Sequence, residues 1–320
     1  MPKTKLYLDN STLEVVAKCD TATILGAHHE LSSTEESAPL ICGQAVHEVL
    51  AAHFSGIDAY HALEHLSTYV DLGSQLPVNN RLSYENVHKI MAYWLEVNRL
   101  QDFPFRPIIS GIEKPLTATL YEDEDYIIIF TGVLDLPARK LSNNQMVIVD
   151  NKTTGKVNYT WKEKFYLGSQ VDSYLWLAQQ NYPDEHVTEM YINAIELSLV
   201  PNSTRKCATH GVTYEECGDM HPNHELIGPF TRTRTLIESW RKSAIGLASR
   251  YISLLKDVDF ENLHWQSQQG RFNGSCQYCT FQQFCRLGRP VDMIDRMLVS
   301  HPWRSLLEEK VRNHDTSSST

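Results

Sequence analysis

Asp150 and Lys152 stand two residues apart at the end of an apolar run, Met146-Val147-Ile148-Val149, and Asp135 closes another, Gly132-Val133-Leu134, fifteen residues earlier. Along a β-strand side chains alternate between faces, so Asp150 and Lys152 project from one side and Asn151 from the other. A short turn between the runs folds the second strand back beside the first and brings Asp135 alongside. Convergent carboxylates bind a hard divalent cation, Mg²⁺ or Mn²⁺, through oxygen. Such an ion activates water near neutral pH and relieves charge on a pentacovalent phosphorus, and a lysine ammonium stabilises the developing oxyanion. These residue types fit metal-assisted cleavage of a phosphodiester. An Asp-x-Lys pair by itself is common at exposed strand edges, so its surroundings carry the reading.

The surrounding elements follow from the hydrophobic period. Residues 11–25 have helical spacing with Asn10 or Ser11 as N-cap, and residues 31–40 are polar and loop-like. Val46, Val49, Leu50 and Phe54 predict a helix over 43–54, and a second is expected over 83–100, ended near Phe103-Pro104. The period then changes. Residues 116–121, 126–136 and 146–150 are β-branched and aromatic runs separated by polar turns, the pattern of an antiparallel three-strand meander. A helix over 162–181, a strand over 189–199, a polar insertion over 201–229 and an amphipathic helix over 235–255 complete the order. Together they predict an α/β fold with a mixed central sheet flanked by helices.

The 320 residues, 42% hydrophobic and 21% charged, suffice for one large domain or a catalytic domain with an appended one. No apolar run reaches the roughly 18 residues that span a membrane, and the N-terminus lacks the apolar stretch of a signal peptide. The expected location is cytoplasmic (host cytoplasm, if a virus encodes the chain). A net charge of −10 argues against non-specific coating of nucleic acid. Even so, Arg139, Lys140, Lys152, Lys156, Lys162 and Lys164 face only Asp150 and Glu163 between residues 139 and 164. That local positive field surrounds the carboxylates.

Seven cysteines, an odd count, include Cys276, Cys279 and Cys285 within ten residues. The spacing C-x2-C-x5-C points to metal ligation rather than a disulfide framework. A second group, Cys207, His210, Cys217, His221 and His224, has zinc-type ligands but no recognised spacing, and incidental cysteines in a polar insertion explain it more simply.

Gly132…Asp135 followed by Asp150-Asn151-Lys152 resembles the PD-(D/E)XK nuclease superfamily in its RecB-type branch. Gly43-Gln44-Ala45-Val46-His47 resembles that branch's G-x-x-x-H helix, whose histidine contacts the metal. Glu113 matches an acidic residue before the first strand, and Gln170…Tyr174 matches a Q-x-x-x-Y motif whose members share a helix face. The resemblance covers residues 43–174. It implies that His47, Glu113, Asp135 and Asp150, with the Asn151 carbonyl, hold Mg²⁺ or Mn²⁺ and that Lys152 positions water or stabilises the transition state. It further implies that Gln170, Tyr174, Lys156 and Lys164 contact DNA or support the site.

The C-terminal cysteines resemble those of the iron–sulfur members of the branch, AddB and the CRISPR-associated adaptation nucleases, in which a fourth cysteine comes from upstream. Leu8-Asp9-Asn10-Ser11-Thr12-Leu13…Cys19 matches that upstream segment, with Asp20 where the family often has proline. The resemblance implies a [4Fe–4S] cluster on Cys19, Cys276, Cys279 and Cys285. Cys42 is a competing fourth ligand, and a structural Zn²⁺ site remains an alternative. The implied organisation is an N-terminal segment (1–42), a nuclease core (43–265), a cysteine segment (266–290) and a C-terminal helix with a disordered tail (291–320). The expected function is a DNA exonuclease in end processing, recombination or repair. No ATP-binding loop is present, so the enzyme would work alone, as a homo-oligomer or with a separate helicase. A non-catalytic DNA-binding scaffold and a zinc-stabilised interaction module are the competing readings.

Overall fold

The computed structural model describes residues 3–33, 37–77, 80–198, 211–213, 223–256 and 269–300. Its strands are β1 (Thr4–Leu8), β2 (Leu31–Ser33), β3 (Phe105–Pro107), β4 (Lys114–Glu122), β5 (Tyr126–Leu134), β6 (Leu136–Lys140), β7 (Met146–Thr154), β8 (Glu189–Glu196), β9 (His224–Thr231) and β10 (Leu298–Ser300). The principal helices are α1 (Asn10–Lys18), α2 (Ala38–Phe54), α3 (Tyr84–Val97), α4 (Tyr159–Glu163), α5 (Ser169–Asn181) and α6 (Arg234–Lys256).

The unbroken apolar run of β7 marks a strand buried on both faces. Met146 and Ile148 face a core built with Phe130 of β5, Leu175 and Trp176 of α5, and Tyr251 of α6. Val147 and Val149 face the opposite core, built with Val46 and Leu50 of α2 and Ile90 and Trp94 of α3. A mixed sheet in the order β3-β6-β7-β8-β9 therefore lies between two helical layers. β7 pairs antiparallel with β6 and parallel with β8, and α4 and α5 make the crossover between the parallel pair. This is the mixed α/β architecture that the order of elements predicts.

The three-strand meander does not form. β5 pairs with β4 and β1 in a separate sheet, while β6 pairs with β7. The chain bends at Asp135 and passes there from one sheet to the other. The Asp135 carboxylate accepts the Asn151 N–H at 2.6 Å, so at the bend a side chain takes the place of a ladder carbonyl.

Other boundaries also move. Asp9, not Asn10 or Ser11, caps α1, its carboxylate accepting from Thr12 N–H at 2.8 Å. The helix predicted over 11–25 breaks at Cys19, whose backbone is extended. A short turn at Asp20–Ala22 and a π-helix at Thr23–His28 follow. Residues 31–40 hold β2 and the start of α2, so the boundary expected at residue 42 falls inside a helix. The helix predicted over 162–181 divides at Gly168, where a Cβ would stand 2.6 Å from the Lys164 carbonyl oxygen. The strand predicted over 189–199 ends as β8 at Glu196, and the end of the polar insertion is β9. Residues 291–297 form two short helical turns leading into β10. Residues 301–320, and Cys207, His210, Cys217 and His221, lie outside the described residues.

Candidate active site

β6 and β7 pair Leu136 with Val149, and continuing that register sets Asp135 opposite Asp150. Asp150 is almost wholly buried, and Lys152 Nζ lies 2.6 Å from its Oδ2. Gln170 Nε2 donates to Asp150 Oδ1 at 3.3 Å. Among the described residues, Oδ2 has the ion-paired ammonium as its partner and accepts no other hydrogen bond. A buried carboxylate oxygen in that condition retains coordination capacity for a cation. Asn151, projecting from the other face, accepts from Asn193 Nδ2 at 2.8 Å, which locks β7 to β8 beneath the pair.

α2 brings in His47. Gly43 sits against β7, where a Cβ would make an ordinary contact at 3.5 Å with Thr153 Oγ1. His47 Nδ1 lies 3.5 Å from Asp135 Oδ2 and 3.9 Å from Glu113 Oε1. Glu113 has φ +50°, a left-handed conformation uncommon for a non-glycine residue and found preferentially at functional sites. Its N–H donates to Leu134 O at 3.0 Å, which anchors the conformation beside the bend. His47, Glu113 and Asp135 each offer a ligand atom within 4.8 Å of the others, a spacing that one metal ion can bridge.

The electrostatics favour a cation. Burial pushes the Asp150 carboxyl up to about 6; the neighbouring Lys152 ammonium opposes this and the Asp135 carboxylate adds to it. Burial alone would depress Lys152, but Asp150 and Asp135 outweigh it and hold the ammonium above its ordinary value. Tyr174 is driven well above the usual phenol range, first by burial and then by Asp150 and Asp135. The site thus concentrates more negative charge than one lysine neutralises.

Gln170 and Tyr174 occupy one face of α5, as their spacing predicts. Gly132 permits this approach: a Cβ would stand 3.1 Å from Leu177 and 3.5 Å from the Tyr174 ring. Beside them opens a cavity of about 410 Å³, lined by Lys152, Gln170, Tyr174, Thr131 and the start of α1 from Asp9 to Ser11, with Glu14. Ser169 Oγ donates to Asn10 Oδ1 at 2.9 Å and joins the two helices at its rim. Lys164 lies close enough for the charges of Lys152 and Asp150 to act on it, and its ammonium covers the Trp161 ring at 4.5 Å. Lys156 is exposed, with its backbone turned onto Thr154. Lys162 is neutralised by Glu225 at 2.5 Å. Sequence reasoning missed Asn193 and the contribution of α1 to the cavity. Asn193 had a signal, a lone amide within the apolar strand Met190–Ile195, whereas α1 joins the site only through tertiary packing.

Cys19, Cys279 and Cys285 pack around Phe281, Phe284 and Leu25, and the charges of Cys19 and Cys276 act on both Cys279 and Cys285. Burial and the neighbouring thiols push Cys285 up to about 11 and raise Cys279, so multiple thiolates need a compensating cation. Gly270 makes room for the group, since a Cβ there would approach Cys276 Sγ to 3.0 Å. Cys42 is elsewhere, buried in α2 against Tyr69 and pushed up to about 12 by desolvation. The same region fastens residues 20–33 to residues 250–300. Asp20 accepts from Arg250 and Gln269 at 2.6 Å each, Arg289 donates to Thr21 at 3.2 Å, and β2 pairs with β10.

Among the described residues, no helix is long and apolar enough to cross a membrane. No curated protein matches the chain. A family profile, the PD-(D/E)XK nuclease superfamily, matches residues 10–286, a span from the start of α1 through the last cysteine. With most of its length matched and a mixed sheet carrying the Asp135, Asp150 and Lys152 arrangement, the chain belongs to the PD-(D/E)XK nuclease superfamily, whose members are metal-dependent nucleases.

Proposed function

We propose that this nuclease is a deoxyribonuclease that hydrolyses phosphodiester bonds from DNA ends, as an exonuclease in end processing, recombination or repair. The convergence of His47, Glu113 and Asp135 to within 4.8 Å, beside the buried Asp150–Lys152 pair, supports this most directly. His47, Glu113, Asp135 and Asp150, with the Asn151 carbonyl, would hold Mg²⁺ or Mn²⁺. The ion supplies Lewis acidity and a water of lowered pKa. Lys152 orients the nucleophile and meets charge developing on the phosphoryl oxygens. Gln170 holds Asp150 in position, and Tyr174, Lys156 and Lys164 line the approach of the DNA backbone.

Cys19, Cys276, Cys279 and Cys285 hold a structural [4Fe–4S] cluster in this reading, with Zn²⁺ the alternative for the same thiols. The cluster clasps the two chain ends outside the nuclease centre. Any motor activity comes from a separate helicase, and a homo-oligomer is an alternative route to processive action.

The test is incubation with 5′- and 3′-labelled single- and double-stranded DNA in Mn²⁺. Stepwise shortening from one end is expected, lost in Asp150→Ala and Lys152→Ala. Cleavage that persists in both variants refutes the centre, and internal cuts without end dependence refute the exonuclease assignment.

A further inference from the structure

Tyr159, Tyr166 and Leu167 are 76%, 54% and 94% exposed, and all three lie in the short arm that connects the strand of Lys152 to the helix of Gln170. Large apolar side chains left in water beside a charged cleft mark a contact surface. Leu167 stands three residues before Gln170, so the chain cannot separate their Cα atoms by more than about 11 Å. Gln170 itself touches Asp150. The arm therefore borders the mouth of the site.

The arm is held rigidly in that exposed form. The buried Arg232 side chain donates to the carbonyls of Phe165 at 3.2 Å and Tyr166 at 2.7 Å, and Asp172 pairs with it at 2.5 Å. Lys162 ties the arm to β9 through Glu225. Gly168 leaves no room for a side chain against Lys164 O. Phe165 roots the arm in the core, with the Trp161 ring against it at 5.0 Å between centroids. Lys164 lies over both rings, so a cation sits among the aromatic faces. A preformed surface loses little entropy on binding.

Alternating aromatic or apolar faces and lysines match unpaired bases on a phosphate backbone, since every base offers a π-face and every linkage an anion. Duplex bases are already stacked on one another and offer no such faces. We infer that the arm formed by Tyr159, Trp161, Lys164, Tyr166 and Leu167 is a stacking platform for single-stranded DNA, which it feeds to the metal centre. This names the substrate class of the nuclease proposed above and rests on that reading.

The experiment is fluorescence anisotropy with labelled oligothymidylate and a blunt duplex of equal length, in EDTA so that no strand is cut. Tyr159→Ala and Tyr166→Ala should each weaken oligothymidylate binding roughly 5- to 150-fold, the range for loss of one base stacked on an aromatic ring, and Leu167→Ala should weaken it less. Duplex binding should change less than about twofold, and the melting temperature should stay constant in Tyr159→Ala and Leu167→Ala, whose side chains are largely exposed, whereas Tyr166 also packs on Phe230. Lys164→Ala should instead lower the salt slope by about 0.7, one phosphate contact on a single strand. Unchanged oligothymidylate binding, an equal loss on duplex, or tighter binding of oligouridylate than oligothymidylate overturns the inference. A wild-type protein that cuts no labelled DNA in Mn²⁺ removes the nuclease reading alone. Asp150-dependent cutting with arm variants that bind normally removes only the platform.

Discussion

The main-chain N–H of Asn151 donates to the Asp135 carboxylate at 2.6 Å, joining the bend between two sheets to the strand that carries Asp150 and Lys152. The same carboxylate lies 3.5 Å from His47. One side chain therefore shapes the bend and faces the metal position, and its two roles can be separated. Asp135→Asn keeps an oxygen for the Asn151 N–H and removes the charge. DNA cleavage should fall at least about a hundredfold while the metal-free melting temperature stays near wild type. Asp135→Ala should also destabilise, by about 1–3 kcal/mol, because a buried N–H loses its acceptor. Chemical denaturation in EDTA alongside the nuclease assay distinguishes the two.

Asp150 makes stability and metal binding depend on pH in opposite senses. Its folded pKa, about 6, is above the value of 3.8 for a free carboxyl, so its share of stability is complete below pH 3.8 and is lost as pH rises through 6. The loss is on the order of 3 kcal/mol at neutral pH. Metal-free protein should therefore gain stability from this group between pH 7 and pH 5. A cation competes with that proton, so the rise in melting temperature on adding Mn²⁺ should be large at pH 7.5 and shrink below pH 6. Asp150→Asn should flatten both dependences, and scanning calorimetry across this range measures them.

Lys152 is set against Asp150, outside the His47–Glu113–Asp135 group. Lys152→Ala should cut the cleavage rate about 10²- to 10³-fold and still show a metal-induced rise in melting temperature. Its metal-free form should be less stable than wild type, because a buried carboxylate loses its ammonium. If Mn²⁺ no longer shifts the melting temperature, Lys152 is needed to assemble the metal site as well as for the chemistry.

At the chain ends the four gathered thiols make a sharper chemical distinction. Protein purified without oxygen should be brown and absorb near 400 nm, and Cys19→Ser should lose the colour and the iron and melt at a lower temperature. Cys42→Ala should keep both, its thiol being buried with Tyr69 instead. A colourless protein holding stoichiometric zinc identifies the alternative metal.

Local pattern determined much of this protein by itself. The alternation Asp150-Asn151-Lys152 after an unbroken apolar run requires two polar side chains on one face at the end of a strand buried on both sides. Gln170 and Tyr174 must share a face of any helix that holds them. Strand and helix periods act over a few residues, so these relations follow from sequence alone.

Tertiary structure decided the rest. Residues 126–136 read as one strand because β-forming side chains run through Asp135, and only competition between two sheets for pairing turns the chain there. The helical pattern across Cys19 likewise gives no warning of its extended backbone, which arises where residues 269–300 dock against it. Whether His47, Glu113 and Asp135 meet depends on how closely α2 seats against β7. That distance is set by packing between segments far apart in the chain, and no short stretch of sequence contains it.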